Sequence, residues 1–182
     1  MKTIIRKWFW PWDFDKEELW LNEMSSKGLA LTSVGYCRYE FEPCQPGEYK
    51  YRIELLENMP NHPESVQYIK FMEESGIEQV ESYMRWVYFR KRSDEIPFDL
   101  FSDAASKIKH LDRIMLFVAI LGGVNLYNGY YNIFLAISRS GLFEVNFPAG
   151  ALCCFIGGLF GYGFYKLWKQ KSYLKKEHQI FE

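Results

Sequence analysis

The chain has 182 residues, 48% hydrophobic and 25% charged, with a formal net charge of −1, enough for one domain of about 100 residues plus a separate apolar unit. That near-neutral charge hides a division, since acidic residues outnumber basic ones over residues 1–97 and the reverse holds over 98–182. An acidic N-terminal part argues against nucleic acid as a partner, because phosphates require a basic face.

Residues 3–10 are rich in β-branched and aromatic side chains, which predicts a strand, and Pro11 ends it. Lys2, Arg6 and Lys7 are followed by Trp8-Phe9-Trp10-Pro11-Trp12 and not by an apolar run, so no secretory signal is expected and this part is placed in the cytoplasm. Asp13 or Asp15 can cap a helix whose apolar stripe is Phe14, Leu19, Trp20 and Met24, with Gly28 just past its end. Glu17-Glu18 in its first turn reads as solvated charge. Residues 29–42 turn extended, 43–47 form a turn, and 49–57 are the second arm of a hairpin. Pro63 and Glu64 open a second helix carrying Val66, Ile69 and Met72, which stops at Gly76. Residues 78–92 are a last strand.

The predicted order is β-α-β-β-α-β, and the chain resembles itself at an offset of 48. Trp20-Leu21 falls on Tyr68-Ile69, Met24 on Met72, Gly28-Leu29 on Gly76-Ile77, and Phe41 on Phe89. Two β-α-β halves predict an α+β domain over residues 1–95, a ferredoxin-like split β-α-β sandwich with strands 3–10 and 49–57 adjacent at the centre. Strand parity puts Tyr39, Phe41, Tyr51, Ile53, Leu55, Val87 and Phe89 toward the helices. The opposite parity gives an open sheet face with Tyr36, Arg38, Glu40, Lys50, Arg52, Glu54, Trp86, Tyr88 and Arg90, joined by Trp8 and Trp10. Trp8, Trp10, Tyr36, Arg38, Arg52, Trp86 and Tyr88 are therefore the candidate face for a partner or a flat ligand.

Residues 96–113 are a linker and juxtamembrane helix, with Ser102 or Asp103 as its cap and Phe98, Leu100 and Phe101 at headgroup level. Residues 114–168 hold two apolar segments, 114–137 and 147–168, each long enough to cross a bilayer. They predict a transmembrane hairpin, followed by a basic tail over residues 169–182. Lys107, Lys109 and Arg113 precede the first segment, and Lys166, Lys169, Lys171, Lys175 and Lys176 mark the end of the second. The loop offers only Arg139, against Glu144, so both termini are expected in the cytoplasm of a multi-pass membrane protein. Asn125, Asn128 and Asn132 share a helical face in the first segment. Gly150, Cys154, Gly157 and Gly161 make a small-residue face in the second. These two faces are expected to pack together, with Gly157 and Gly161 at the closest approach and Asn125 and Asn128 bonding across it.

There is no Walker loop, G-x-G-x-x-G, H-E-x-x-H or G-x-S-x-G. Cys37, Cys44, Cys153 and Cys154 show no C-x-x-C spacing, and His62, His110 and His178 have no visible nucleophile partner. No catalytic residue, metal or cofactor is therefore expected.

The run Trp8-Phe9-Trp10-Pro11-Trp12-Asp13-Phe14-Asp15-Lys16-Glu17-Glu18, then Trp20-Leu21-Asn22-Glu23-Met24 and Lys27-Gly28, is similar to the opening of the domain-of-unknown-function 2812 family. Cys37-Arg38-Tyr39, Pro46-Gly47-Glu48-Tyr49, Tyr51-Arg52 and Arg85-Trp86-Val87-Tyr88-Phe89 continue the resemblance, which covers about residues 4–110. It implies a bacterial protein with membrane segments after the domain, often encoded beside PadR-like regulators, and it implies no reaction. The leading reading is a membrane-anchored sensing or adaptor domain acting through protein contacts, with the lipid bilayer and a protein partner or a second copy as its contacts. The alternatives are a small-molecule or lipid-responsive binding module using the open sheet face and, third, a membrane enzyme.

Overall fold

The computed structural model describes residues 2–93, 98–100, 104–139 and 143–180. It divides into two compact units, Met1–Asp103 and Ala104–Glu182.

The first unit is α+β. In chain order it runs β1 (Thr3–Arg6), α1 (Phe14–Ser26), β2 (Leu29–Gly35), β3 (Arg38–Pro43), β4 (Tyr49–Leu55), α2 (Pro63–Glu74), β5 (Glu78–Tyr83) and β6 (Trp86–Arg92). The extended stretches 29–42 and 78–92, each expected as one strand, are both tight hairpins. Their turns place Cys37 at φ 53° and Met84 at φ 56°, positions where glycine or asparagine is usual, so the sequence carried no turn residue at either positive-φ position.

The six strands make two antiparallel sheets, ordered β1-β3-β2 and β4-β6-β5. This corrects the ferredoxin-like expectation. β1 pairs with β3 and β4 with β6, so strands 3–10 and 49–57 are not neighbours. Each hairpin supplies a third strand locally, and each β-α-β-β half completes its own sheet.

The 48-residue offset holds throughout these halves. Leu31 opposite Phe41 corresponds to Gln79 opposite Phe89, and the register slips between Leu31 and Ser33 and again between Gln79 and Glu81. A bulge thus recurs at the same place. Gly28 and Gly76 end the two helices at φ +80° and +77°, where a side chain would be strained. Ser33 and Glu81 are themselves 48 apart, and the Ser33 hydroxyl donates to Glu81 Oε2 at 3.3 Å. Equivalent positions of the two halves thus meet where β2 approaches β5.

Packing breaks the symmetry. The inner face of the first sheet (Leu31, Val34, Tyr39, Phe41) joins Trp20, Leu21 and Met24 of α1 and Tyr51, Ile53 and Tyr88 of the second sheet in one core. The other face of the second sheet buries Val87 and Phe89 against Ile69 and Met72 of α2, with Leu56 and Phe98. Register explains this: Ile53 lies opposite Tyr88 and Glu54 opposite Val87. Val87 and Phe89 therefore share a face with Arg52 and Glu54, not with Tyr51 and Ile53 as parity had assigned them. Phe98 and Leu100, expected at headgroup level, belong to this second core, so the first unit extends beyond residue 95. Ser102, Asp103, Phe101 and linker residues 94–97 lie outside the described residues.

The second unit is α3 (Ala104–Ser138) and α4 (Phe143–Ile180), both long and apolar enough to cross a membrane. The expected juxtamembrane helix and first apolar segment form one continuous helix, and α4 runs on into the expected basic tail. The two run antiparallel. A Cβ on Gly122 would meet Phe160, and one on Gly129 would meet Cys154 and the Gly150 carbonyl. Toward the other end, the Lys171 ammonium pairs with Asp112.

Candidate functional site

The expected sheet face is split by the structure. Its first half is an exposed patch on the outer side of the first sheet. Arg6 lies opposite Arg38 and Ile4 opposite Glu40, and the Lys7 N–H donates to the Cys37 carbonyl at 3.2 Å, which carries the pairing on toward Trp8 and Tyr36. Those rings meet edge to face at 5.8 Å. Trp8 also meets Trp10 at 5.2 Å, and Trp10 stacks on buried Trp12 at 4.9 Å. A row of rings thus runs from the 71%-exposed Tyr36 and 50%-exposed Trp8 into the core. Arg38 holds Glu40 at 2.8 Å.

The second half is not open. Tyr88 is buried and Trp86 packs against the same core. Arg52 stands 3.8 Å from Glu18 and over the Phe98 ring. Glu54 is buried and accepts a 2.7 Å hydrogen bond from the Tyr68 hydroxyl. Both faces of this sheet are covered, which a one-sided reading of strand parity did not anticipate.

The polar centre of the domain was missed. Glu17, read as solvated charge, is only 8% exposed, and its Oε1 accepts hydrogen bonds from the Tyr39 and Tyr88 hydroxyls, each at 2.7 Å. It clasps both sheets from α1. Desolvation holds its carboxyl above the usual range against the lowering effect of the two phenols. Burial also raises both phenols, and the adjacent carboxylate raises them further. A signal was present: Glu17 lies three residues after Phe14 and three before Trp20, on the apolar stripe itself.

Glu18 lies next to that stripe in a ladder. β4 is an edge strand, and its outward backbone groups are met by α1 at i, i+4 and i+7. Glu18 Oε1 accepts from the Ile53 N–H at 2.8 Å. Asn22 accepts from the Tyr51 N–H at 2.9 Å and donates to the Tyr51 carbonyl at 3.2 Å. The Ser25 hydroxyl donates to the Tyr49 carbonyl at 2.7 Å and accepts from its N–H at 3.2 Å. A helix that supplies partners in this way closes a sheet edge.

Desolvation, partly countered by the Ile53 hydrogen bond and Arg52, pushes the Glu18 carboxyl up to about 7 from an ordinary 4.5. The folded state therefore binds this proton more tightly than the unfolded chain does. The stability it contributes is complete below about 4.5 and is lost as pH rises through about 7. Between these limits stability should fall with rising pH by on the order of 1–3 kcal/mol. Glu18→Gln, which keeps the acceptor, should flatten the slope. Glu17 shifts in the same direction, so the slope should shrink without vanishing. Thermal unfolding followed by near-UV circular dichroism at stepped pH checks this.

In the helix pair, Gly157 lies on the contact, where a Cβ would come within 2.7 Å of Leu126, while Gly161 has nothing within 4 Å. Close approach is thus made by Gly122, Gly129, Gly150 and Gly157. The expected amide bonds across the contact are replaced by bonds within α3. Asn125 donates to the Leu121 carbonyl, Asn128 to Val124 and Asn132 to Asn128, each at 2.8 Å. Asn125, three residues after Gly122 and four before Gly129, stands half-buried at the flank of the contact, whereas Asn128 is exposed.

No curated protein and no solved structure matches the chain. One family model does, over residues 13–122. That span takes in α1 with Glu17, Glu18 and Asn22, both sheets apart from β1, and the start of α3. By this match over more than half its length, the chain belongs to the family described as Protein of unknown function (DUF2812).

Proposed function

We propose that this protein is a membrane-anchored, non-catalytic sensing and adaptor protein. Its tandem β-α-β-β domain is cytoplasmic and acts through protein contacts, with α3 and α4 spanning the membrane and both termini inside. The observation that carries this reading is the inequality of the two sheets. The second sheet is covered on both faces, whereas the outer face of the first presents Ile4, Arg6, Trp8, Tyr36 and Arg38 to solvent. Exposed aromatic and arginine side chains gathered on one face are the composition of protein interfaces. The cationic residues flanking the apolar helices support the orientation.

Purification of the full chain in mild detergent should bring down one stoichiometric partner. Trp8→Ala with Tyr36→Ala should release it, lowering affinity about tenfold or more, with the thermal transition of the domain unchanged. Retention of the partner by this doubly substituted chain would place the contact elsewhere. A reporter after residue 182 that is active only outside the membrane would reverse the topology.

A further inference from the structure

We propose that the outer edge of β1 accepts an extended segment of a protein partner by strand addition, and that this segment carries an acidic residue between apolar ones. The proposal rests on the adaptor reading and names the form of its partner. β1 ends the first sheet, whose other end, β2, lies along β5. The Lys7 N–H donates to the Cys37 carbonyl, and bonded pairs alternate along an antiparallel ladder. Thr3 and Ile5 therefore turn their backbone groups toward β3, whereas Ile4 and Arg6 turn theirs away. Thr3, Ile4 and Arg6 are exposed, and no described strand pairs with this side. The other half of the domain shows such an edge covered. Thr3 stands opposite Phe41 as Arg52 stands opposite Phe89. Ile4 thus takes the place of Ile53, whose N–H is accepted by Glu18 of α1 at 2.8 Å. α2 carries Val66 at the place of Glu18 and packs on β5. The edge that α1 closes on β4 is left open on β1, and an open edge is a template for a further strand.

Charge selects the occupant. No acidic residue lies between Lys2 and Trp12, so a second copy of β1 would bring Lys2, Arg6 and Lys7 against their own kind. On the outer face, Lys2 reaches Glu42 at 3.7 Å and Arg38 holds Glu40 at 2.8 Å. Arg6 stands opposite Arg38 and has no carboxylate beside it among the described residues. Alternate side chains of an added strand lie beside Ile4, Arg6 and Trp8, so apolar-x-acidic-x-aromatic is the pattern that fits.

The probe is the peptide Thr-Val-Thr-Glu-Thr-Phe-Thr, labelled with fluorescein at its N-terminus and amidated at its C-terminus. It is titrated with the full chain in mild detergent and read by fluorescence anisotropy. Saturable binding is expected, and the same peptide with lysine in place of glutamate should bind about fivefold more weakly. Ile4→Pro removes an outward N–H and leaves the ladder to β3 intact. It should weaken binding about tenfold or more with the thermal transition of the domain unchanged. Arg6→Glu should reverse the preference between the two peptides. No saturable binding overturns the proposal. So does unchanged affinity in Ile4→Pro, since attraction by charge alone, as to an anionic lipid surface, needs no backbone donor. A cross-linked dimer that Ile4→Pro dissolves would give the edge to a second copy and also overturns it. Should Ile4→Pro unfold the domain, an unreversed preference in Arg6→Glu overturns it instead. A co-purifying partner lost with Trp8→Ala and Tyr36→Ala but kept by Ile4→Pro overturns strand addition and leaves the adaptor reading standing. Peptide binding without any co-purifying partner supports strand addition and counts against the adaptor reading alone.

Discussion

Gly129→Leu is expected to separate α3 from α4, whereas Gly161→Leu is expected to leave the pair intact. A Cβ at residue 129 would lie 2.5 Å from the Cys154 sulfur, 3.0 Å from its backbone nitrogen and 3.1 Å from the Gly150 carbonyl oxygen. The last two are backbone atoms, so no rotamer change relieves the clash and the helices must part. Overpacking that side chains can absorb costs about 1–3 kcal/mol. Here the cost should be about 3 kcal/mol or more, because the α-carbon ridges themselves collide. Position 161 faces open space and should register no change in the same assay. Protease resistance and thermal stability in detergent, measured on both variants, check the contrast. A loss at residue 161 equal to that at 129 would mean the small-residue face meets a further helix.

The second large effect is expected at Asn22. Its amide satisfies both backbone groups of Tyr51, whose side chain is wholly buried. Asn22→Leu fills similar space but leaves the Tyr51 N–H on the β4 edge without a partner and its carbonyl with the Arg52 guanidinium alone, at 3.0 Å. For one unsatisfied backbone group the loss should be about 1–3 kcal/mol, a fall in melting temperature of about 5 °C or more. Asn22→Asp keeps the acceptor and loses the donor, so it should fall between the two. If Leu and Asp are equally tolerated, water replaces the amide and the ladder is not what closes this edge.

The repeat shows how much of the fold was legible. An offset of 48 could be read because each half needs a tryptophan or tyrosine at the helix–core contact, a glycine at the left-handed helix end and a phenylalanine inside the sheet. These demands are local and act on residue type directly. The hairpins could not be read, because Cys37 and Met84 occupy positive φ without glycine. With the hairpins hidden, four strands were counted in place of six, and a single sheet followed from the count. The two long apolar helices were legible for the opposite reason, since a long apolar run has few other ways to fold.

Of the candidate sites, the aromatic patch was half visible and the buried carboxylate was not. Trp8 and Tyr36 alternate with inward residues on one sheet, which parity reports. Glu17 has its character set by Tyr39 and Tyr88, 22 and 71 positions away, and no local pattern encodes those distances.

By itself the sequence determined that the protein has two parts, that the first is built twice, and that two apolar helices follow. Each of these rests on periodicity or composition within a short window. Only the tertiary structure decided how the two halves become unequal. At the places of Glu18, Asn22 and Ser25, the second helix carries Val66, Lys70 and Glu73, which do not form the same ladder, so α1 covers a strand edge in the other repeat and α2 does not return the favour. The second sheet, pressed between the first core and α2, loses both faces to burial, and the first keeps one in water. That choice depends on which backbone groups find partners across the domain, a condition that exists only once the chain has folded.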